Sequence, residues 1–274
     1  MLKSIMQKKL SIYIFIILAS AITLIIYAEK NVIPLKRAHS HNDYLRPQPL
    51  LDALNNGFCS IEADIHIVNG DLLVAHDLDK CKPEKNLVNM YLKPIFERVQ
   101  KNNGHVYAVP SEFWLLIDIK SEPESTYTLL KEQLLPYKKF LTRIENGKKI
   151  DGAVTIVISG AVPRETIEKE KDRYVFIDGR LGDLDTNPSP DLVPWISNSW
   201  FSIFTWIGKG DMPPQELNKL KEIVSKSHEQ GRKVRFWGAP QTLECWEVLY
   251  NEGVDFLNTD FPKRLSEFLK NKMK

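Results

Sequence analysis

The chain has 274 residues, of which 43% are hydrophobic and 26% are charged, a composition typical of a globular protein with a large core. The formal net charge is only +2. Because the surplus lysines lie near the amino terminus, the rest of the chain is close to neutral, which argues against a nucleic-acid partner.

The first predicted element is an apolar segment at the amino terminus. Lys3, Lys8 and Lys9 precede a charge-free stretch at residues 10–28, which is about long enough to span a bilayer as a hydrophobic helix. We therefore predict that residues 1–29 are a signal peptide or an N-terminal membrane anchor, and that residues 30–274 form the folded domain. The preceding lysines favour an orientation with the domain outside the cytoplasm. The protein would then be membrane-anchored, or secreted or periplasmic if the leader is cleaved.

Beyond this segment, apolar runs of strand length alternate with helical patterns. A short extra strand is predicted at 72–75, after the Asn69-Gly70 turn, and a surface loop at 183–194. The predicted strands are 35–40, 60–68, 113–119, 152–158, 174–178, 195–204, 233–237 and 254–258, and the predicted helices are 49–56, 88–102, 127–141, 163–171, 214–230, 242–251 and 262–270.

Several of the predicted strands are continuously apolar, which is typical of a parallel sheet buried on both faces. Eight such strands alternating with about seven helices favour an α/β fold, the (β/α)₈ or TIM barrel. An open, doubly wound sheet is the alternative. No glycine-rich phosphate loop follows any strand, which weakens a nucleotide-binding version of that alternative.

Charged residues gather at the carboxyl ends of the predicted strands, which meet at one face of a parallel barrel. Glu62 and Asp64 are two positions apart on a strand, so their carboxylates point to the same face. Such a pair of hard oxygen ligands suits Mg²⁺ or Ca²⁺. Asp118 on the next strand could add a third carboxylate, or could form a structural ion pair with Lys120. Lys120 could also neutralise charge on a phosphoryl oxygen.

Histidines flank these carboxylates. His39 at the end of the first strand and His76 after the extra strand could act as acid and base around a metal. His66 is more simply a structural histidine. Further candidates for contacting a substrate lie at other strand ends, where Trp237 could stack on a head group or be a core residue; these candidates are His41, Asn42, Trp237 and Asn258.

Together these motifs resemble the glycerophosphodiester phosphodiesterase family of the phosphatidylinositol phospholipase C-like superfamily. The resemblance spans about residues 35–268 and rests on A-H, E-A-D, H-D, D-I-K and N-T-D-F-P. It implies that His39 and His76 are catalytic histidines, and that Lys120 is a catalytic-site lysine. It also implies that Glu62, Asp64 and Asp118 bind one divalent cation.

The sequence departs from the family at two points. Ser40-His41 replaces the usual Arg-Gly after the first histidine, and Asp118 replaces the usual glutamate. In both respects the chain is closer to spider-toxin-like phospholipase D. The motif H-S-H-N-D-Y resembles an uncharacterised subgroup that includes the fungal altered-inheritance-of-mitochondria proteins. Whether His41 replaces or assists His39 is left open.

The sequence therefore predicts a metal-dependent phosphoric diester hydrolase, or a cyclising phosphodiesterase, that uses Mg²⁺ or Ca²⁺. Its substrates would be glycerophosphodiesters or phospholipid-derived molecules, with membrane contact through the N-terminal segment and no obligate protein partner. A non-catalytic phosphate- or lipid-binding barrel is the alternative. Three carboxylates without histidine ligands disfavour a zinc hydrolase. A Cys59–Cys81 disulfide and three unpaired thiols are both compatible with the cysteine spacing.

Overall fold

Parallel strands form the wall of a barrel in the computed structural model, which describes residues 32–274. Within this range there are eleven strands. They are β1 (Leu35–Ser40), β2 (Phe58–Val68), β3 (Asp71–Val74), β4 (Trp114–Ile119), β5 (Arg143–Glu145), β6 (Lys148–Ile150), β7 (Thr155–Gly160), β8 (Phe176–Gly179), β9 (Trp195–Ser199), β10 (Lys233–Trp237) and β11 (Leu257–Thr259).

Eight of these strands pair in parallel in the order β1-β2-β4-β7-β8-β9-β10, with β11 beside β1. A single parallel bridge between Arg235 and Phe256 joins β10 to the start of β11, so the barrel is nearly closed. Strand β3 pairs with β2 antiparallel and lies outside the wall. The prediction of a parallel eight-stranded barrel is confirmed, and the open-sheet alternative is wrong.

Helices cover the outside of the barrel between successive strands. The residues that the structure describes form eight α-helices, with a π-helical turn at Val88–Leu92 before the second and a 3₁₀ turn at Leu135–Phe140 after the third. The helices are α1 (Leu51–Asn55), α2 (Lys93–Lys101), α3 (Pro123–Leu134), α4 (Arg164–Lys169), α5 (Asp183–Thr186), α6 (Pro214–Glu229), α7 (Leu243–Asn251) and α8 (Pro262–Lys272).

Helix α3 shows why the predicted element boundaries moved. It begins at Pro123, four residues before the predicted start, because the Glu122 side chain accepts hydrogen bonds from the backbone N–H groups of Glu124 and Ser125. A capping carboxylate and a proline at the first helical position both favour a helix start. The apolar periodicity that predicts this helix begins only further along it, at Tyr127.

One element was missed and two predictions on local structure need correction. The antiparallel hairpin β5–β6, joined at Asn146-Gly147, was not predicted. The first part of the predicted loop 183–194 is helix α5. The predicted strand 195–204 ends at Ser199 and continues as a 3₁₀ turn.

All three cysteines are free within residues 32–274, so of the two alternatives the unpaired thiols are confirmed and the Cys59–Cys81 disulfide is not formed. Cys59 is buried near the amino end of β2, whereas Cys81 follows the loop that carries His76. The predicted leader at residues 1–29 lies outside the described residues. In the part that the structure describes, no helix has the length and apolar character needed to cross a membrane.

Aromatic side chains fill the lower part of the barrel interior. Trp114 stacks on Trp195 with ring centroids 5.5 Å apart, and Phe256 meets Trp195 edge-on at 4.7 Å. Trp195 and Phe256 are fully buried, and Phe176 belongs to the same cluster. This cluster fills the barrel at the amino ends of its strands. Polar side chains that point inward nearer the carboxyl ends therefore lie on top of an apolar layer, the floor of the barrel.

Candidate active site

A cavity of about 500 Å³ opens at the carboxyl ends of the barrel strands. A larger cavity of about 770 Å³ lies at the opposite end, beside Trp114, and contains none of the predicted site residues. We place the candidate site in the smaller cavity because the carboxyl ends of the strands carry the active sites of parallel barrels. The predicted residues that line it are His41, Asn42, Glu62, His76, Asp118, Lys120 and Trp237.

Three carboxylates converge at this cavity. Glu62 and Asp64 point inward from β2, and Asp64 pairs with Asp118 in the register between β2 and β4. One oxygen of each of the three lies within 4.8 Å of the others. The Oδ1 atoms of Asp64 and Asp118 are buried, and neither has a hydrogen-bond partner among residues 32–274. Because buried oxygens normally have partners, these two suit a hard divalent cation such as Mg²⁺ or Ca²⁺.

The electrostatics of the site point the same way. Burial and the neighbouring Glu62 carboxylate raise the pKa of Asp64 to about 6, and burial raises the pKa of Asp118. Lys120 Nζ lies 3.0 Å from Asp118 Oδ2 and 3.3 Å from Asp64 Oδ2. Although burial alone would lower the pKa of Lys120, these two carboxylates raise it. One lysine therefore offsets only part of the crowded negative charge.

Gly160 at the end of β7 makes room for the Asp118 carboxylate. Its φ of +73° lies in the left-handed region, and a Cβ at this position would overlap Asp118 Oδ1 and the carbonyl oxygen of Ile119. Only glycine adopts this positive φ without strain and also leaves the space free that a Cβ would fill. The Asp118 carboxylate can therefore occupy this position only because residue 160 has no Cβ.

Glu62 is held by a buried arginine. Arg235 Nη2 donates to Glu62 Oε2 over 2.7 Å, and both side chains are almost fully buried. Although burial favours the neutral acid, the Arg235 charge and a hydrogen bond from His39 keep the pKa of Glu62 well below its usual range. Asn258 Oδ1 accepts a hydrogen bond from Arg235 Nε over 3.0 Å. Asn258 thus orients the arginine from the side of β11.

His39 lies beneath the cavity and has no free ring nitrogen. Its Nε2–H donates to Glu62 Oε2 at 3.1 Å, because a carboxylate can only accept. Its Nδ1 then accepts from the Ser60 hydroxyl at 2.7 Å. The ring is fully buried, and burial together with the Arg235 charge lowers the pKa of His39 to about 3. His39 is therefore a neutral residue that supports Glu62.

His41 and His76 line the cavity and share one arrangement. Nδ1 of His41 donates to Asp260 Oδ1 at 3.0 Å, and Nδ1 of His76 donates to Asp77 Oδ1 at 2.9 Å. In the described part of the chain, Nε2 of neither ring makes a hydrogen bond. A carboxylate on Nδ1 fixes the tautomer and orientation of a histidine and leaves Nε2 available for proton transfer.

His66 belongs to the structural support of this arrangement, as the sequence analysis favoured. It is buried, and its Nε2–H donates to the carbonyl oxygen of His76 over 3.1 Å. This bond ties the loop that carries His76 to β2.

Several residues at the site, Arg235 among them, were not predicted as site residues. The Tyr44 hydroxyl lies 2.9 Å from Asp64 Oδ2 and 3.0 Å from Asn42 Oδ1. Arg180 lines the cavity and contacts Ser159 Oγ through Nη2 at 3.2 Å. The sequence does carry a signal for three of them. Ser159 and Arg180 are polar residues at strand ends, and Gly160 is a glycine at the end of an apolar strand. Nothing in the local sequence around Tyr44 indicates its position.

Comparison with known proteins identifies relatives of the chain. Residues 27–178 match the family model described as AIM6-like phosphodiesterase domain. Altered inheritance of mitochondria protein 6 of Eremothecium gossypii is 32% identical, over 87% of this chain and 71% of that protein. A homologue of the same protein from Arthroderma benhamiae is 29% identical, over 84% of this chain and 82% of its own length.

Two solved structures share the fold. A glycerophosphodiester phosphodiesterase from Parabacteroides distasonis superposes with a TM-score of 0.52 at 13% identity, covering 87% of this chain and 98% of that one. A putative glycerophosphoryl diester phosphodiesterase from Agrobacterium tumefaciens gives 0.50 at 15% identity, covering 88% and 100%. At these identities the likeness concerns the barrel alone.

Proposed function

Because the chain belongs to the AIM6-like phosphodiesterase family, we propose that it is a metal-dependent phosphoric diester hydrolase acting in the cavity at the carboxyl end of its barrel. One observation carries this proposal. The unpartnered Oδ1 atoms of Asp64 and Asp118 lie at a cavity that His41 and His76 also line. A metal site beside an acid–base pair suits phosphodiester cleavage, whereas binding alone needs no such pair.

The carboxylates of Glu62, Asp64 and Asp118 would hold one divalent cation, Mg²⁺ or Ca²⁺. When bound, the cation would polarise the phosphoryl oxygens of the substrate and offset the repulsion among the three carboxylates. Arg235 and His39 both contact Oε2 of Glu62, which leaves Oε1 as the ligand atom that this residue offers.

His41 and His76 form the acid–base pair in this proposal. One Nε2 accepts a proton from the nucleophile, either water or a neighbouring hydroxyl of the substrate. The Nε2–H of the other ring donates a proton to the leaving oxygen. We propose that the partner of His76 in this pair is His41 and not His39, because both ring nitrogens of His39 already make hydrogen bonds.

Cationic side chains surround the position of the phosphoryl group. Lys120, Arg180 and Arg235 reach the cavity from three strands, where they can stabilise negative charge that grows on the phosphoryl oxygens. Trp237 at the edge can pack against the alcohol part of the substrate. Asn258 acts through Arg235. The names of the structural neighbours support glycerophosphodiesters as one substrate class, beside phospholipid-derived molecules.

The test is turnover of bis(p-nitrophenyl) phosphate by the chelated protein, before and after addition of Mg²⁺ or Ca²⁺. We expect metal-restored activity in the wild type and none in the Glu62→Gln/Asp64→Asn double variant. The matched control is Glu165→Gln/Asp185→Asn, which neutralises two exposed carboxylates and should behave as the wild type. Metal binding by calorimetry without turnover of any phosphodiester would instead favour a binding barrel.

A further inference from the structure

One side of the cavity rim is apolar. The exposed phenylalanine and tryptophan side chains of residues 32–274 are Phe201, Trp237 and Phe261, which are 58%, 41% and 50% exposed. They follow or end β9, β10 and β11, which are neighbours in the barrel wall. Three exposed aliphatic side chains lie in the segments that follow β1, β9 and β10, and one of them, Leu243, is the first residue of α7. We call this set of six the apolar rim: Leu45, Phe201, Ile207, Trp237, Leu243 and Phe261.

The opposite wall of the cavity is polar. Strands β4, β7 and β8 lead there into Lys120, Ser159 and Arg180, all of which line the cavity. Trp237 lines the cavity from the other side. The apolar rim therefore adjoins the candidate active site at Trp237.

Hydrogen bonds between loops hold the apolar rim in place. Thr242 Oγ1 donates to the carbonyl oxygen of Gly208 over 2.7 Å, which joins the loops that carry Leu243 and Ile207. Gln241 Nε2 contacts Asp260 Oδ2 at 2.6 Å, and Arg46 Nη2 contacts Asp260 Oδ1 at 3.2 Å. These bonds link four successive loops, so the exposure of the apolar side chains is built into the fold.

We propose that the apolar rim docks on a phospholipid surface, with the cavity turned towards the head groups. The apolar side chains belong to separate segments that end or follow β1, β9, β10 and β11, on the side of the barrel where the cavity opens. A lipid surface can cover all of these segments and still supply substrate to the cavity. Tryptophan favours the membrane interface, and phenylalanine and leucine side chains insert their apolar surface into it. The inference that the substrate is a lipid rests on the proposed function. Docking on a lipid surface does not, because it requires no catalysis.

Charge on this side of the molecule is nearly balanced. The exposed cations Lys209, Lys263 and Arg264 and the exposed carboxylates Asp211 and Glu244 lie in the same loops and helix starts. Docking should therefore depend on apolar burial. We expect binding to zwitterionic phosphatidylcholine that high salt does not abolish, since screening weakens only the charged contribution.

The experiment is co-sedimentation of residues 30–274 with sucrose-loaded phosphatidylcholine vesicles. All barrel strands, the closing bridge and the core lie in this part of the chain. We expect the Phe201→Ser/Phe261→Ser variant to lose about tenfold or more of the partitioning, because two apolar side chains no longer insert. The matched control is Leu135→Ser/Met273→Ser, which removes two exposed apolar side chains at the opposite end of the barrel and should bind as the wild type.

Melting curves verify that each variant is folded. Docking is overturned if the wild type stays in the supernatant, or if the rim variant sediments as fully as the wild type. Light scattering adds a third readout: self-association that the rim variant abolishes, without vesicle binding, would make the rim an interface between copies and reject the proposal. Turnover of bis(p-nitrophenyl) phosphate, measured separately, decides the proposed activity.

Discussion

His39 Nε2 lies 3.1 Å from Glu62 Oε2 on the floor of the candidate site. This bond makes His39 a partner of a candidate metal ligand, while His41, two residues along the chain, reaches the cavity. His39 lies on β1 and is fully buried, whereas His41 lies just beyond the end of that strand and lines the cavity. The two histidines are therefore at different depths, and His41 is the one exposed to the cavity.

The acid–base assignment predicts the effect of removing either cavity histidine. His41→Ala and His76→Ala should each lower kcat on bis(p-nitrophenyl) phosphate by roughly two to four orders of magnitude, the usual contribution of a positioned acid or base. The control is His228→Ala, which removes an exposed histidine at the other end of the barrel and should retain wild-type turnover. Near-normal kcat in His76→Ala would refute the assignment.

The supporting role of His39 predicts a different response. His39→Leu should lower the free energy of unfolding by about 1–3 kcal/mol, because it leaves a buried hydroxyl and part of a buried carboxylate without a partner. It should also weaken metal binding through Glu62, measured by titration calorimetry. His39→Gln keeps a donor and should recover part of both losses. Excess metal should restore turnover in His39→Gln but not in His41→Ala; a loss of kcat that metal cannot restore would return His39 to the catalytic pair.

The buried pair of Arg235 and Glu62 predicts a large stability effect. Arg235→Met leaves the Glu62 charge buried with only His39 as a donor, which should cost about 3–5 kcal/mol, measured by urea unfolding. Arg235→Lys keeps the charge and should cost less. A change below about 1 kcal/mol in Arg235→Met would show that Glu62 does not depend on this arginine.

We expect a substitution at Gly160 to weaken metal binding although it changes none of the candidate metal ligands. In Gly160→Ala the new Cβ competes with Asp118 Oδ1 for space, so metal affinity should fall at least about tenfold, the effect typical of disturbed ligand support. Gly182→Ala is the matched control, because its φ is −61° and an added Cβ there meets open space. Equal affinities in the two variants would mean that Asp118 is free to move or is not a ligand.

Much of the fold could be predicted because barrel strands buried on both faces leave a clear apolar signal. Strands β1 and β10 match their predicted limits, 35–40 and 233–237. The hairpin β5–β6 escaped prediction because it is short and rich in charged residues. The end of the strand predicted at 195–204 was misjudged because Trp200 and Phe204 are core residues of a turn, and their apolar character resembles that of a strand.

The candidate site was partly predictable for the same kind of reason. Strand alternation places Glu62 and Asp64 on one face, and their proximity to Asp118 follows from the order of the strands. The depth of His39, the Glu62–Arg235 pair and the contact of Tyr44 with Asp64 arise only when distant segments pack together. Spacing along the chain carries no information on which ring nitrogens the fold has already used.

The most direct test of the account is a titration of metal-free wild-type protein with Mg²⁺ or Ca²⁺, following binding and phosphodiester turnover on the same sample. We expect no turnover after chelation, and turnover that rises with the bound cation and saturates at one ion per chain. Full turnover in the chelated protein, or saturation by metal with no turnover of any phosphodiester, would contradict it.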